Sequence, residues 1–353
     1  GTNTESNGFP CSIQGDYGIY AMSTTTVTNH AGASIEGVDE YAVDLQGAGS
    51  LNNSGMVDGH DGHGVRQNLG GTLSNWTGAS IAADGNAVAG PTTVNNRGMI
   101  QSRTGMNYGV LMNNGGTLTN YAGGSILSNG TGIRGADHVH NYGSIQMPGN
   151  SWTAIQTSAN NNSSVTLYTG SSLLGAITDL GGTGDTLNLR GSGAGTFDQG
   201  LVGFEKIIKR DSGTWTMPAG HGLTVTFFQV EAGTLIANGT YTSSLCSVYN
   251  NATLKGTGTF NGTGAVNIDS TATLAPGNSI GQMTVNRDLW FGPNATLEIE
   301  VNVGASDSID IPDNARVIDV EGSTLIPGLI NTDGHVGDVR GLDATLPSLV
   351  ERR

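Results

Sequence analysis

The stretch that decides the fold is TVTNHAGASI at residues 26–35, which returns in modified form as TLSNWTGASI at 72–81 and TLTNYAGGSI at 117–126. A shorter version lies between and after these copies, as LNNSGMV at 51–57, VNNRGMI at 94–100 and VHNYGSI at 139–145. The longer form is anchored on Asn29, Asn75 and Asn120, and the shorter form on Asn53, Asn96 and Asn141. Such regular recurrence indicates a repeat protein with two forms of one structural unit.

A second slot of two small or polar residues and an aliphatic residue gives the length of the unit. It ends at Val43, Val65, Val88, Val110, Ile133 and Ile155, at intervals of 22 or 23 residues. A unit of about 22 residues cannot bury an apolar face alone, but it can when it is stacked on copies of itself. Three short strands fit into each unit, so each unit is expected to form one rung of a parallel β-helix.

The repeat therefore predicts an all-β fold, a right-handed, three-sided parallel β-helix from about residue 15 to 303. This length corresponds to about 13 rungs. Asparagines at matching corners are expected to form ladders of side-chain amides between rungs. The residues predicted to point inward are Val27, Ile35 and Val43 on one rung and Leu51, Val57 and Val65 on the next.

Composition supports this fold and disfavours several classes of function. The 353 residues include 57 glycines but only 12% charged residues, which suits short strands and tight turns. A formal charge of -15 disfavours nucleic-acid binding. Cys11 and Cys246 are too few for a disulfide framework or a zinc cluster. No signal peptide opens the sequence, which is the pattern of a cytosolic protein or a mature fragment.

Four segments near the C-terminus carry a family resemblance. They are GTL at 233–235, ATLKGTGTF at 252–260, ATLAPGNSIG at 272–281 and FGPNATLEIEVN at 291–302. Together they resemble the passenger-associated repeat and autochaperone region of Gram-negative autotransporters, which use type V secretion. The resemblance implies an extracellular or surface-displayed passenger, exported through an outer-membrane barrel of the parent protein. We divide the chain into residues 1–159, 160–232, 233–311 and 312–353: repeats, irregular continuation, autochaperone-like rungs and tail.

The resemblance also assigns a role to the Pro-Gly-Asn-Ser segment. In that family it is a turn between β-helix rungs, in a region that folds first and templates the others. The turn residues carried over are Leu274, Pro276, Gly277, Asn278 and Ile280. Proline restricts φ and glycine permits the reversal, whereas the aliphatic side chains Leu274 and Ile280 are expected to fill the interior.

The tail at residues 312–353 differs from the rest of the chain. VIDVEGSTLIPGLINTDGHVGDVRGL resembles the beginning of amidohydrolase barrels, which carry a His-x-His metal pair after this strand. Asp333 occupies the first position of that pair and His335 the second. A single histidine does not hold a catalytic metal, so we expect a non-functional tail.

The candidate binding residues are Trp76, Arg97, Tyr121 and Tyr142, each of which directly follows an anchoring asparagine. On four consecutive rungs they would form an outer column with stacking and cation–π contacts. Such a column could bind a host glycan or a host surface protein. The structural alternative is a ladder that only shields the edge of the sheet.

Several other patterns point to chemistry. Glu36 and Asp58 share a slot on adjacent rungs, which suits glycoside or pectate chemistry, but no basic residue at a fixed slot accompanies them. His60 and His63 lie near acidic residues, as in a surface zinc or copper site, although solvated turn histidines explain them as well. Ser212 lies in an Asp-Ser-Gly sequence typical of turns and of serine proteases. GGTGDTLNL at 181–189 is an incomplete, single copy of a calcium-binding nonapeptide.

These observations favour an adhesin-like autotransporter passenger without catalysis and without a cofactor. Two alternatives stay open: a β-helix polysaccharide lyase or hydrolase, and a chimeric gene product without function.

Overall fold

The chain is an all-β parallel solenoid of about 13 turns in the computed structural model. The structure describes residues 4–5, 11–113, 115–147, 153–302, 305–306, 308–310, 317–319 and 324–327, and no helix occurs among them. The predicted parallel β-helix and its number of rungs are confirmed. The chain divides into two compact units, residues 1–187 with 199–204 (unit 1) and residues 188–198 with 205–353 (unit 2).

Unit 1 consists of three parallel sheets, to which each turn contributes one strand per sheet. The asparagine sheet contains Thr4–Glu5, Thr26–Asn29, Gly49–Asn53, Gly71–Asn75, Thr93–Asn96, Thr117–Asn120, His138–Asn141 and Ser164–Tyr168. The second sheet contains Ser12–Gly15, Ser34–Gly37, Met56–Gly59, Ser80–Ala83, Met99–Ser102, Ser125–Ser128, Ser144–Gln146 and Ser172–Leu174. The third sheet contains Ile19–Ala21, Tyr41–Leu45, His63–Gln67, Val88–Ala89, Tyr108–Leu111, Thr131–Ala136, Thr153–Thr157, Ala176–Thr178 and Leu201–Val202.

Aliphatic side chains stack in register inside unit 1. Leu51 aligns with Val27 on one side and with Leu73 on the other, and the corresponding positions of the second and third sheets behave in the same way. The six residues predicted to point inward are all buried, which confirms that prediction. Full burial of each Val, Leu or Ile side chain stabilises the fold by about 1.5–3 kcal/mol.

The two repeat forms differ in the corner between the asparagine sheet and the second sheet. The longer form makes a turn in which the backbone N–H of Ala79 donates to the carbonyl of Trp76, and Gly78 has a φ of 83°. The shorter form omits two residues and brings Gly98 against the preceding turn. A Cβ atom at Gly98 would lie 2.3 Å from the carbonyl oxygen of Ala79, so only glycine fits there.

Unit 2 contains two groups of parallel strands. The first contains Lys206–Lys209, Gly222–Val230, Thr240–Val248, Thr259–Asn261, Val266–Ile268, Gln282–Val285, Leu289–Phe291, Ser308–Asp310 and Val317–Asp319. The second contains Ala194–Thr196, Thr214–Met217, Thr234–Ala237, Thr253–Gly256, Thr273–Pro276, Thr296–Ile299 and Thr324–Pro327. Val301–Asn302 and Ala305–Ser306 form a short antiparallel pair, and Thr186–Arg190 contains a boundary between the units.

The core of unit 2 is aromatic and its turns are shorter. The ring centroids of Phe228 and Phe260 are 5.7 Å apart, and Tyr241 packs against both rings. Trp215 aligns with Leu235, which is followed in register by Leu254, 20 and then 19 residues further along the chain. The 22-residue pattern weakens after residue 160 because the turns themselves become shorter.

One strand of unit 2 pairs with two separate strands of the next turn. Thr240–Val248 pairs with Thr259–Asn261 and with Val266–Ile268, and Gly262 begins the break between them with a φ of 139°. Arg287, from the turn beyond, donates to the carbonyl oxygen of Ser243 at 2.6 Å and to its hydroxyl at 3.0 Å. A side chain at Gly262 would collide with both partners, so glycine permits this contact across a turn.

The tail adds two strands to unit 2. Val317–Asp319 pairs with Leu289–Phe291, and Thr324–Pro327 pairs with Thr296–Ile299, both in parallel. Part of the amidohydrolase-like sequence therefore continues the solenoid beyond residue 303. Asp333 and His335 lie outside the described residues.

Candidate binding surface

A ladder of buried asparagines runs along one corner of unit 1, as the sequence predicts. Each side-chain Nδ2 donates to the Oδ1 of the next asparagine at 2.8 or 2.9 Å, over Asn29, Asn53, Asn75, Asn96, Asn120 and Asn141. Five of the amides also donate to a backbone carbonyl in the second sheet at 2.9–3.2 Å. Both N–H groups of these five amides are therefore satisfied, and the corner is held in one register.

The predicted column stands on this ladder. The guanidinium carbon of Arg97 lies 5.1 Å from the ring centroid of Trp76 and 3.6 Å from that of Tyr121. The rings of Tyr121 and Tyr142 are stacked, with planes 10° apart and centroids 6.4 Å apart. The four residues thus make continuous cation–π and aromatic contacts, worth about 0.5–1.5 kcal/mol each. Their role in binding stays a prediction.

The column has a fifth member that the sequence pattern did not reveal. Tyr168 stacks on Tyr142 with a centroid distance of 3.7 Å and planes 13° apart. Leu167 replaces the anchoring asparagine on this turn, since it aligns with Asn141. The search for a residue after each asparagine missed Tyr168, although the alternation of SVTLY with HVHNY would have found it. We call Trp76, Arg97, Tyr121, Tyr142 and Tyr168 the aromatic column.

The aromatic column is accessible, and its surroundings are polar. Trp76 is 43% exposed and Tyr142 is 37% exposed. Beside the column, the asparagine sheet presents hydroxyl, amide and imidazole side chains in register, namely Ser74, Asn95, Thr119 and His140. The Tyr121 hydroxyl lies 3.5 Å from the Asn95 amide oxygen. This surface combines large apolar edges with neutral hydrogen-bonding groups, which suits contact with a glycan or a polar protein surface.

The acidic pair proposed from the sequence has a basic partner after all. Glu36 and Asp58 align on adjacent strands as predicted. Arg103, two turns beyond Asp58, forms an ion pair with Asp58, and its Nε donates to Asp84 at 2.9 Å. The expectation that no basic residue accompanies the pair is wrong, because Arg103 reaches back from a loop outside the repeated slots. Hydrogen bonds from Arg103 and from the Asp61 backbone hold the pKa of Asp84 below its usual range against the opposing effect of burial.

The histidines do not cluster. His63 stacks on Tyr41, and its Nδ1 accepts a hydrogen bond from the backbone N–H of Asn86 at 2.8 Å. His60 lies 3.7 Å from a carboxylate oxygen of Asp58. Within the part of the chain that the structure describes, no group of three or more His, Cys, Asp or Glu side chains is arranged to hold a metal ion.

The turn of the autochaperone-like region is built as a closed bridge. Gly277 exchanges two backbone hydrogen bonds with Gly256, at 2.8 and 3.0 Å, and has a φ of 86°. Leu274 and Pro276 are buried, and Asn278 is exposed. Ile280 is only half-buried, so the expectation that it fills the interior is wrong: the chain leaves the wall before it and returns at Met283.

Two further candidates occupy structural positions. Ser212 is exposed in a turn where Asp211 accepts two hydrogen bonds from Arg190, at 3.0 and 3.1 Å. Asp185, in the incomplete calcium nonapeptide, is buried and accepts a hydrogen bond from the backbone N–H of Ser163 at 2.6 Å.

Comparisons of this chain with known protein families, curated proteins and solved structures found no match. None of the described residues belongs to a helix that could span a bilayer.

Proposed function

We propose that this chain is an adhesin-like passenger of the autotransporter type, which binds a host glycan or a host surface protein without catalysis. The observation that carries the proposal is the aromatic column on the asparagine ladder. Tryptophan, tyrosine and arginine are the residues that most often dominate binding energy at protein surfaces. Here they are partly exposed and lie side by side on consecutive turns.

The ladder prepares the column for binding. Because the corner below each column residue is fixed by two hydrogen bonds, little backbone entropy is lost when a ligand contacts the column. The contacts within the column restrict the side chains in the same way. A preorganised, elongated contact line suits a polymer or a flat surface better than a small molecule.

Secretion and display follow from the resemblance of residues 233–302 to the autochaperone region. In this proposal the parent protein includes an outer-membrane barrel, and the mature chain acts outside a Gram-negative cell. Stacked turns support a template role for unit 2, since each new turn needs an existing edge to pair with.

A second candidate function is a polysaccharide lyase or hydrolase, which the cluster of Asp58, Asp84, His60 and Arg103 favours. Paired carboxylates next to a cation are typical of glycan-cleaving sites. In this structure, however, both carboxylates are bonded to Arg103, which favours a structural ion pair. Release of soluble fragments from polysaccharides would support this candidate, and retention of the protein without fragments would support the adhesin.

The adhesin proposal is tested by retention on arrays of host glycans and on host cells. The variant Trp76→Ala/Tyr142→Ala removes the two most exposed members of the column, and we expect retention to fall about tenfold or more. The control is Tyr108→Ala/Arg134→Ala, which removes another aromatic–arginine contact, with a distance of 5.3 Å, on the third sheet. Circular dichroism checks that both variants are folded. Equal retention by both variants and the unsubstituted chain would refute the column as the contact surface.

A further inference from the structure

A cluster of three tyrosines lies on the third sheet, separate from the aromatic column. Tyr17 precedes the strand that contains Tyr20, and Tyr41 begins the next strand of this sheet. The centroids of Tyr17 and Tyr20 are 5.3 Å apart and their planes are inclined by 69°, so the two rings form a corner. Tyr17 also stacks on Tyr41 at 6.3 Å. Tyr20 is 50% exposed and Tyr17 is 38% exposed, so this tyrosine cluster is accessible.

Negative charge surrounds the tyrosine cluster. Asp16 directly precedes Tyr17, and Asp39 and Glu40 directly precede Tyr41; all three acidic residues are exposed. The backbone N–H of Glu40 donates to the carbonyl of Asp16 at 3.2 Å, which brings the two acidic segments together. Desolvation, followed by the charge of Glu40, raises the pKa of Tyr17. A cation near the rings therefore meets favourable electrostatics.

The cluster already accommodates one cation. The guanidinium carbon of Arg66 lies 4.2 Å from the ring centroid of Tyr41, and Arg66 is bonded to both carboxylate oxygens of buried Asp44. This arrangement neutralises Arg66 locally. His63 adds no charge when its Nδ1 accepts the hydrogen bond from Asn86, because that tautomer is neutral. Asp16, Asp39 and Glu40 are left as the excess charge beside the exposed rings.

We propose that the tyrosine cluster binds a quaternary ammonium group, such as the trimethylammonium group of choline. Ring faces attract a cation through their quadrupole, and methyl groups make apolar contacts with the same faces. A quaternary ammonium has no N–H to satisfy, so rings and nearby carboxylates are sufficient, and no directed hydrogen bond is needed. The proposal is independent of the adhesin proposal, since it uses a different sheet and different residues.

The experiment compares choline with 3,3-dimethylbutan-1-ol, which has the same shape but no charge. Both are titrated at low ionic strength into the full chain, and calorimetry and tyrosine ring resonances report binding. We expect choline to bind about fivefold or more tightly than its neutral isostere. Equal affinity for the two compounds, or no binding of choline at millimolar concentration, would overturn the proposal.

Variants assign the binding to the cluster. Tyr17→Ala and Tyr20→Ala remove exposed rings, and each is expected to weaken choline binding about threefold or more. Glu40→Gln keeps the shape and removes one charge, so it should weaken binding less. The matched control, Tyr142→Ala, removes an exposed tyrosine of the aromatic column and should leave choline binding unchanged. A loss in the control equal to that in Tyr17→Ala would also refute the assignment.

Vesicles distinguish the source of the quaternary ammonium. Retention on phosphatidylcholine vesicles, but not on phosphatidylglycerol vesicles, would assign the site to a lipid headgroup. Binding of free choline without retention on vesicles would assign it to a soluble cation. Because Tyr142→Ala affects glycan retention but not choline binding in these two proposals, either can fail without the other.

Discussion

The two units solve the same packing problem with opposite materials. Unit 1 buries aliphatic side chains and a polar asparagine ladder, and it places tyrosines and Trp76 outside. Unit 2 buries aromatic side chains and two cations. Lys209 donates to three backbone carbonyls at 2.8 Å, and Arg287 donates to both the carbonyl and the hydroxyl of Ser243.

The contrast explains why one unit is regular in sequence and the other is not. An amide ladder requires that every asparagine meet the next at hydrogen-bond distance, so the length of each turn is tightly constrained. Aromatic rings contact each other over a range of distances and angles, so turn lengths can vary. Buried cations in unit 2 satisfy the backbone carbonyls that irregular turns leave without strand partners.

The largest expected effect is on the aromatic core of unit 2. Phe228→Ala removes a fully buried ring that touches Tyr241 and Phe260, and we expect the free energy of unfolding of unit 2 to fall by about 3–5 kcal/mol. Thiol labelling of Cys246, which is buried in the same unit, measures this loss in urea. Leu69→Ala, at an exposed site in unit 1, should change stability by less than about 0.5 kcal/mol. Equal effects would mean that core packing does not dominate unit 2.

The second effect concerns the ladder of unit 1. Asn96→Ala leaves the Asn75 amide N–H and the Asn120 amide oxygen buried without each other's support, and should cost about 2–4 kcal/mol. Asn141→Ala, at the end of the ladder, removes only the acceptor for Asn120 and should cost about half as much. Hydrogen exchange of the asparagine-sheet amides measures both. A larger loss for Asn141→Ala would contradict a cooperative ladder.

A third effect separates the units by pH. Burial raises the pKa of the Cys246 thiol to about 11 from 9.0. The unfolded chain loses this proton near pH 9, whereas the folded chain keeps it until about pH 11. The free energy of unfolding of unit 2 should therefore fall by about 2–3 kcal/mol over this range.

Denaturation of Cys246→Ala at pH 8, 9.5 and 11 isolates this contribution. The comparison is needed because burial raises the pKa of Tyr241 to about 12, with the same sign, and lowers the pKa of Lys209 to about 8, with the opposite sign. If the variant and the unsubstituted chain lose stability in parallel, the thiol does not contribute.

The smallest effect is expected at acid pH in unit 1. Burial and the charge of Arg66 lower the pKa of His63. The unfolded chain therefore binds a proton before the folded chain does, so stability should decrease as the pH falls below 6.5. Protonation would also convert the Nδ1 acceptor into a donor facing the Asn86 N–H. His63→Phe keeps a ring against Tyr41 and should remove this dependence; an unchanged pH profile of thermal unfolding would contradict it.

The repeat predicted most of unit 1 because its rule is local. The anchoring asparagines, the aliphatic positions and the first four members of the aromatic column follow from one spacing. Tyr168 was missed because Leu167 broke the asparagine rule, and Arg103 was missed because it comes from a loop and reaches back two turns to Asp58. The half-exposed position of Ile280 depends on where the chain leaves the wall, which composition does not reveal.

What the sequence by itself determined is the periodic stack: side chains that recur every 22 or 23 residues can be buried together only if the chain coils into parallel turns. What only the tertiary structure decided is which side chains meet across turns outside that period. Arg287 and Ser243, Arg103 and Asp58, and the tyrosine cluster with its carboxylates are brought together by loops of different lengths. Loop paths depend on the packing of neighbouring turns, and no single repeat carries that information.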